Sequence, residues 1–355
     1  MKKIHSDQYD ITFGAEAYDY LGVMLNERAY SKIFLITDTV CNDACVPHFL
    51  ANLPTNVAFE IIEIETGEEF KTMETAYSVW QALSELKADR QSVIITVGGG
   101  VVTDLGGFVA ALFKRGIDCI NIPTSLLAMV DASVGGKTGI DLDGIKNQLG
   151  TFTMPQNVLI DVRFLETLPA EQMRSGLAEM FKHGLIYDRE YWEVLQHLSE
   201  LTSDDLEDLI YHSVVIKNQI VQQDPKEQGL RKILNFGHTL GHAIESYFLN
   251  SDTRTTLLHG EAIAMGMILE SYLSWKTGKL SEQEYYSIKT VLFDTFARID
   301  LDPLEVEACL EWLQHDKKNA LGIPQFVLLN TVGVAVINQV VSKDLILSSF
   351  EDYLS

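Results

Sequence analysis

Positive charge is scarce in this 355-residue sequence: 27 Lys and Arg stand against 50 Asp and Glu, a net charge of −23 at pH 7. A surface this acidic repels phosphate backbones and anionic lipid, which argues against nucleic acid and membrane surfaces as partners. A small anionic substrate stays open, because it needs only a local basic cluster. Long apolar runs are also missing. No stretch approaches the ~20 apolar residues of a membrane span, and the opening MKKIHSDQYD has no apolar core, so no signal peptide is expected. Cysteine is sparse. Cys41, Cys45, Cys119 and Cys309 form no C-x-x-C pair, which excludes a disulfide scaffold and points to a reducing cytoplasm. What is plentiful is apolar material, 46% of residues, with 22% charged. At roughly 150 residues per domain, about two domains are expected.

The first half alternates β-rich runs with helical ones. KIFLIT (32–37), VAFEIIEI (57–64), SVIITV (92–97) and DCINIP (118–123) read as strands. ETAYSVWQALSELKA (74–88) and DLGGFVAALFKR (104–115) read as helices. That alternation predicts a parallel, doubly wound sheet. From about Pro169 onward helical patterns dominate, including AEQMRSGLAEMFKHGLI, DDLEDLIYHSVVIKNQIVQQ, NFGHTLGHAIESYFL, GEAIAMGMILESYLSWKTG and LEVEACLEWLQHD. QFVLLNTVGVAVINQVV (325–341) reads as a hairpin turning at Thr331–Gly333, followed by a short helix. The fold class is therefore α/β: a Rossmann-like domain over 1–165, then a mainly helical domain over 166–355.

Gly98, Gly99 and Gly100 follow a strand, where glycines let backbone N–H groups approach a pyrophosphate at a helix N-terminus. A tight strand-to-helix turn needs the same residues, and Thr103 spoils the full G-x-G-x-x-G pattern. Asp104 either accepts from a ribose or caps the helix. Lys137 after Gly135-Gly136, and Lys146-Asn147 after Gly144, suit a phosphate or carboxylate; ordinary surface turns are the competing reading. P-loop spacing fails. His238 and His242 lie at i and i+4. With His259 and Glu179 they offer imidazoles and a carboxylate from separate helices, a pattern that fits a catalytic divalent ion or a set of structural histidines. Thr239 replaces the glutamate of H-E-x-x-H, so a zinc protease is unsupported. Arg231 and Asn235 before His238, Lys217 upstream and Lys182 after Glu179 either crowd an anionic ligand or pair with the many acids. Asp316-Lys317-Lys318 is open in the same way. His183, His197 and His212 show no partner spacing and read as structural.

Taken in order, these segments resemble the 3-dehydroquinate synthases of the sugar phosphate cyclase superfamily. The resemblance runs from about Phe34 to Lys318. It is carried by GEEFKT, VGGGVVTDLGGFVAA, PTSLLAMVDASVGGKTGID, FLETLP, SGLAEMFKHGLI, LRKILNFGHTLGHAIES, HGEAIAMGM and DKK. It implies a homodimeric lyase that converts 3-deoxy-D-arabino-heptulosonate 7-phosphate to 3-dehydroquinate and phosphate, a shikimate-pathway step. The implied cofactors are catalytic NAD+ and one Zn2+ or Co2+ ion. By position, Glu179, His238 and His259 would hold the metal. Asp38, Glu68, Lys71, Gly99, Gly100, Asp104, Thr124, Ser125, Lys137, Lys146, Thr167 and Leu168 would meet the dinucleotide. Asp131, Asn147, Lys182, Lys217, Arg231, Asn235 and Lys317 or Lys318 would bind substrate. Lys137, His242, Glu227 and Arg115 would act in catalysis, with Arg115 reaching a neighbouring subunit's site. Val40 and Ser125 depart from common family residues. The rivals are a sister cyclase acting on another sugar phosphate and a metal-dependent NAD alcohol dehydrogenase.

Overall fold

Strands with no polar alternation belong at the centre of a sheet covered on both faces. The computed structural model places them there. It describes residues 1–143, 145–197, 203–313 and 323–355, which divide into two compact units, Met1–Pro169 and Ala170–Ser355.

In the first unit the strands are β1 (Lys2–His5), β2 (Asp10–Phe13), β3 (Ile33–Asp38), β4 (Phe59–Ile64), β5 (Val93–Gly98), β6 (Asp118–Pro123), β7 (Lys137–Leu142), β8 (Ile145–Phe152) and β9 (Asn157–Ile160). Seven form one sheet in the order β1-β2-β9-β6-β5-β3-β4, while β7 and β8 pair apart as an antiparallel hairpin. In the large sheet β1 is antiparallel to β2 and the remaining pairings are parallel. Every residue of β3 and β5 is buried, whereas edge strand β4 leaves Phe59, Ile61 and Glu63 exposed. The helices are α1 (Glu16–Glu27), α2 (Thr39–Ala44), α3 (Val46–Asn52), α4 (Met73–Glu85) and α5 (Gly100–Leu112). Helix α5 can lie close because it carries no side chain where it crosses its neighbours. A methyl added at Gly106 would collide with Thr96 of β5, and one at Gly107 would sit 2.6 Å from Thr138 of β7.

The second unit holds α6 (Ala170–Tyr187), α7 (Arg189–Leu195), α8 (Ser203–Gln223), α9 (His238–Leu249), α10 (His259–Lys276), α11 (Glu282–Thr295), α12 (Pro303–Trp312) and α13 (Lys343–Leu354), with β10 (Phe326–Thr331) and β11 (Val334–Gln339) as a hairpin. Helix α10 is at its centre: fourteen of its residues are buried, and it packs on α6, α9, α11, α13 and β10.

Four local expectations change. Helix α5 starts at Gly100 with Gly99 as its N-cap, so Asp104 lies inside the helix and does not cap it. Lys114 and Arg115 do not end α5; they follow it in a short 3-10 turn, both with left-handed backbone (φ 49° and 71°). The helix expected from Asn235 begins only at His238, because Gly237 (φ 76°) breaks the chain away from a 3-10 turn over Leu230–Asn235. The stretch 137–152, for which ordinary surface turns were the competing reading, is largely the β7–β8 hairpin.

Glu284 shows how the second unit is tied together. Its carboxylate accepts from Arg189 (2.7 Å), Thr331 Oγ1 (2.7 Å) and Ser281 Oγ (2.8 Å). Burial opposes the charge, but the Thr331, Ser281 and Arg189 bonds outweigh it and hold the pKa down to about 2 against an ordinary 4.5. A depressed carboxylate pKa contributes stability that is present above the ordinary value and is lost as pH falls through the folded one. Glu284→Gln should therefore cost about 2 kcal/mol at pH 7. The deficit relative to the unsubstituted protein should close between pH 4.5 and 2 in thermal melts. A deficit independent of pH would show that the carboxylate's charge is not the cause.

Candidate active site

Three helices of the second unit bring one carboxylate and two imidazoles to a point. Glu179, in the middle of α6, has no exposed surface. His238 opens α9 and His259 opens α10. His238 Nε2 lies 3.5 Å and His259 Nε2 3.6 Å from Glu179 Oε1, and all three donor atoms fall within 4.8 Å of one another. The other ring nitrogens face outward to fixed partners. His238 Nδ1 meets the Phe236 carbonyl at 3.0 Å, and His259 Nδ1 meets Glu245 Oε2 at 3.4 Å. Such outer partners set the tautomer and aim Nε2 at an ion.

His242, Glu245 and His259 form another donor set. His259 faces Glu245 with Nδ1 and Glu179 with Nε2, an arrangement that fits Glu245 as an orienting carboxylate and Glu179 as the candidate ligand. The donor chemistry, one oxygen and two imidazole nitrogens, suits Zn2+ or Co2+. Burial lowers the His259 pKa, but Glu245 and Glu179 more than reverse this and push it up to about 9. A bound ion would compete with that proton.

The glycines around the histidines have a packing role. Added methyls at Gly237 and Gly241 would lie 2.5 Å and 2.8 Å from Met267 and Ile263, and those at Gly260 and Gly266 would collide with Ser175 and with the Gly237 carbonyl. Close approach of α6, α9 and α10 thus needs these residues without side chains, and that approach lets donors from three helices converge.

Lys182 is buried one turn along α6 and is ion-paired to Glu179 Oε2. The His242 ring lies 5.1 Å from the His238 ring. Lys217, on α8, and Arg231 are also buried. Arg231 Nη1 donates to the Pro225 carbonyl at 2.7 Å, and Asn235 donates to Glu227 Oε1 at 2.6 Å. His183 Nδ1 meets Ser213 Oγ at 2.7 Å, and His212 meets Asp188 at 2.8 Å. Lys317 and Lys318 lie outside the described residues.

In the first unit a second group assembles around Lys71. Its buried ammonium donates to Asp104 Oδ2 at 2.7 Å and Asn147 Oδ1 at 2.8 Å, with Glu68 Oε1 at 4.0 Å. Lys146 meets Glu68 at 3.2 Å. Burial opposes charge at Lys71, but Asp104 and Glu68 prevail and hold its pKa above the ordinary value. At Asp104 burial wins and the pKa rises. Asn147 has left-handed backbone (φ 53°), and its N–H is held by Asp141 at 2.7 Å. It thus joins the group expected at the dinucleotide, although it was expected at substrate.

The N-terminus of α5 carries no side-chain cap and no acidic residue in its first turn. A methyl added at Gly99 would find nothing nearer than Ser125 Oγ at 3.5 Å. Packing does not require glycine at that point; close approach by a ligand's phosphate would. Asp38 caps α2 through the Cys41 N–H and accepts from Thr66. Thr124 Oγ1 touches Cys41 Sγ, Ser125 accepts from the Ala128 N–H, and Thr167 and Leu168 close the 3-10 turn Val162–Thr167. Asp131 lies on a π-helical turn, Ala128–Ala132, and Lys137 is exposed at the start of β7. Arg115 lies past α5, as described above.

Two family models match the chain consecutively: the N-terminal 3-dehydroquinate synthase model over residues 61–175 and the C-terminal one over 176–319. The chain belongs to the 3-dehydroquinate synthase family. A 3-dehydroquinate synthase of Parabacteroides distasonis is 42% identical over 336 residues, 93% of each chain. Among solved structures, 2-deoxy-scyllo-inosose synthase complexed with carbaglucose-6-phosphate, NAD+ and Co2+ superposes with a TM-score of 0.85 at 26% identity, covering 99% of both chains. A 2-epi-5-epi-valiolone synthase from Streptomyces hygroscopicus with NAD+ and Zn2+ bound gives 0.83 at 27% identity, covering 99% of this chain and 98% of that one.

Family membership did not make every useful residue legible in advance. Glu245, Glu270, Ser175 and Asp141 were missed. Glu245 shares a helical face with His242, and Glu270 is an isolated acid in an apolar run; both signals were present in the sequence.

Proposed function

We propose that this chain is a 3-dehydroquinate synthase, converting 3-deoxy-D-arabino-heptulosonate 7-phosphate to 3-dehydroquinate and phosphate. The observation that carries the reading is the Glu179–His238–His259 donor set, with Lys182 paired to Glu179, in a chain of this family. A Zn2+ or Co2+ ion held by those three residues would acidify a substrate hydroxyl and polarise the carbonyl formed from it. NAD+ would supply the hydride acceptor and then the hydride donor, and so be needed in catalytic amounts only.

The chain's own groups then have definite tasks. The α5 N-terminus with Gly99 and Gly100 receives the pyrophosphate. Asp38, Glu68, Lys71, Asp104, Thr124, Ser125, Lys146, Thr167 and Leu168 fix the rest of the dinucleotide. Lys137 and Asn147 bind the substrate phosphate, and Lys182 is a further substrate-binding residue. Asp131 and Glu227 orient hydroxyls, and Lys217, Arg231 and Asn235 hold the carboxylate end. One of Lys317 and Lys318 adds a further cation. A ring nitrogen of His242 carries a proton to or from the substrate. Residues 1–165 would form the dinucleotide domain and 166–355 the metal and substrate domain, in a cytoplasmic enzyme. No helix of the described residues is long and apolar enough to cross a membrane.

The deciding experiment incubates the enzyme with the heptulosonate phosphate, NAD+ and Zn2+ while phosphate and NADH are followed together. Phosphate release without net NADH is the expected result. Net NADH would instead mean a dehydrogenase, and turnover of a different sugar phosphate alone would mean a sister cyclase.

We also propose a homodimer in which Arg115 serves the neighbour's substrate phosphate. Arg115→Ala and Lys137→Ala should each be nearly inactive. Co-expressed, they should regain about a quarter of full activity from mixed dimers that contain one intact site. Confirmed mixed dimers that stay inactive would refute sharing.

A further inference from the structure

Glu270 is a carboxylate with no exposed surface, three turns along α10 from His259. Its Oε2 accepts from the Gly237 N–H at 2.7 Å, and its Oε1 accepts from the N–H groups of Thr239 and Leu240 at 3.1 and 3.2 Å. Those amides bracket one residue, His238. The first N–H groups of a helix have no partner within it, and α9 brings no cap of its own, since Gly237 stands at its N-cap position. A local Ser or Asp cap is ruled out at that position. The backbone there is left-handed, and any Cβ would press on Met267 at 2.5 Å. The acceptor therefore comes from the neighbouring helix, with its negative charge on the favourable end of the α9 dipole.

The same short turn supplies the ring's anchor, the Phe236 carbonyl 3.0 Å from His238 Nδ1. A shift of the 236–240 backbone would move both His238 and the group that orients it. Gly266, one turn before Glu270, lets α10 pack directly against the Gly237 carbonyl.

We propose that Glu270 is a positioning residue for the ion site: by fixing the backbone on both sides of His238 it sets the direction of that imidazole toward Glu179 and His259. The proposal rests on the assignment of Glu179, His238 and His259 as the donor set.

Glu270→Gln keeps the side chain's shape but replaces one acceptor with an amide that opposes the backbone N–H groups. The expected result is a Co2+ dissociation constant, measured by competition with a chelator, about 10- to 100-fold weaker. The visible absorption of bound Co2+ should also shift, and kcat should fall with KM for the sugar phosphate little changed. Glu284→Gln, which loses a partly exposed carboxylate bond network elsewhere in the same unit, should lower the melting temperature and leave Co2+ affinity and absorption alone. Glu270→Asp, one methylene shorter, provides the same comparison if the glutamine variant does not fold. Unchanged Co2+ affinity and absorption in a folded variant overturns the proposal. So does failure of both variants to fold, which would make Glu270 a determinant of folding alone. An unsubstituted protein that binds no Co2+ would overturn the donor assignment itself.

Discussion

Glu179→Gln is expected to lose the bound ion and nearly all turnover. The substitution removes an anionic donor and offers the ion a neutral amide in its place. Lewis-acid assistance is worth several kcal/mol, and each 1.4 kcal/mol is tenfold in rate, so the loss should be on the order of 10³-fold or more. A second effect accompanies it. Lys182 is buried and ion-paired to this carboxylate, and stranding such a cation costs about 3–5 kcal/mol. The two effects are separable. Glu179→Gln combined with Lys182→Met should recover much of the lost stability in thermal melts. Metal content should remain near zero, and so should phosphate release. A single variant that keeps both its ion and its activity would remove Glu179 from the donor set.

Lys71→Met should cost the first unit the most stability. The ammonium joins Asp104, from α5, to Asn147, from β8. Without it the Asp104 carboxylate keeps its desolvation, already visible as a raised pKa, and loses its cation. The expected cost is again about 3–5 kcal/mol, with at least a tenfold weaker grip on NAD+ in calorimetric titration. Adding Asp104→Asn should restore stability, because no unpaired charge remains. It should not restore NAD+ affinity if these two side chains face the dinucleotide. Full recovery of both would mean that the cluster serves the fold alone.

The sequence made the core strands and the long helices legible because their periodicity is imposed by burial. SVIITV and KIFLIT show no polar alternation, and the strands they form, Val93–Gly98 and Ile33–Asp38, are buried throughout. The candidate donors Glu179, His238 and His259 stand out as residue types in glycine-rich helical segments, although the purpose of those glycines does not. Gly237, Gly241, Gly260 and Gly266 are required by backbone contacts between helices far apart in the chain, and spacing alone carries no trace of a partner. The β7–β8 hairpin was hidden for another reason. Its strand KTGIDL and its partner IKNQLGTF are short of apolar alternation, and Gly139 and Gly150 face each other too closely for side chains. Asp104 was misread as a possible cap because the helix start was placed four residues late.

The donors also differ in how firmly the fold holds them. Glu179 sits in the middle of an eighteen-residue helix, while His238 and His259 are each the first residue of theirs. Helix ends open locally at far lower free energy than helix middles. Unwinding one turn of α9 or α10 would release an imidazole while Glu179 stayed in place. Ion exchange would then need only that one turn to open, against the bonds that Glu270 and Ser175 make to it. Its rate should follow the hydrogen exchange of the first amides of these two helices, those that Glu270 and Ser175 hold.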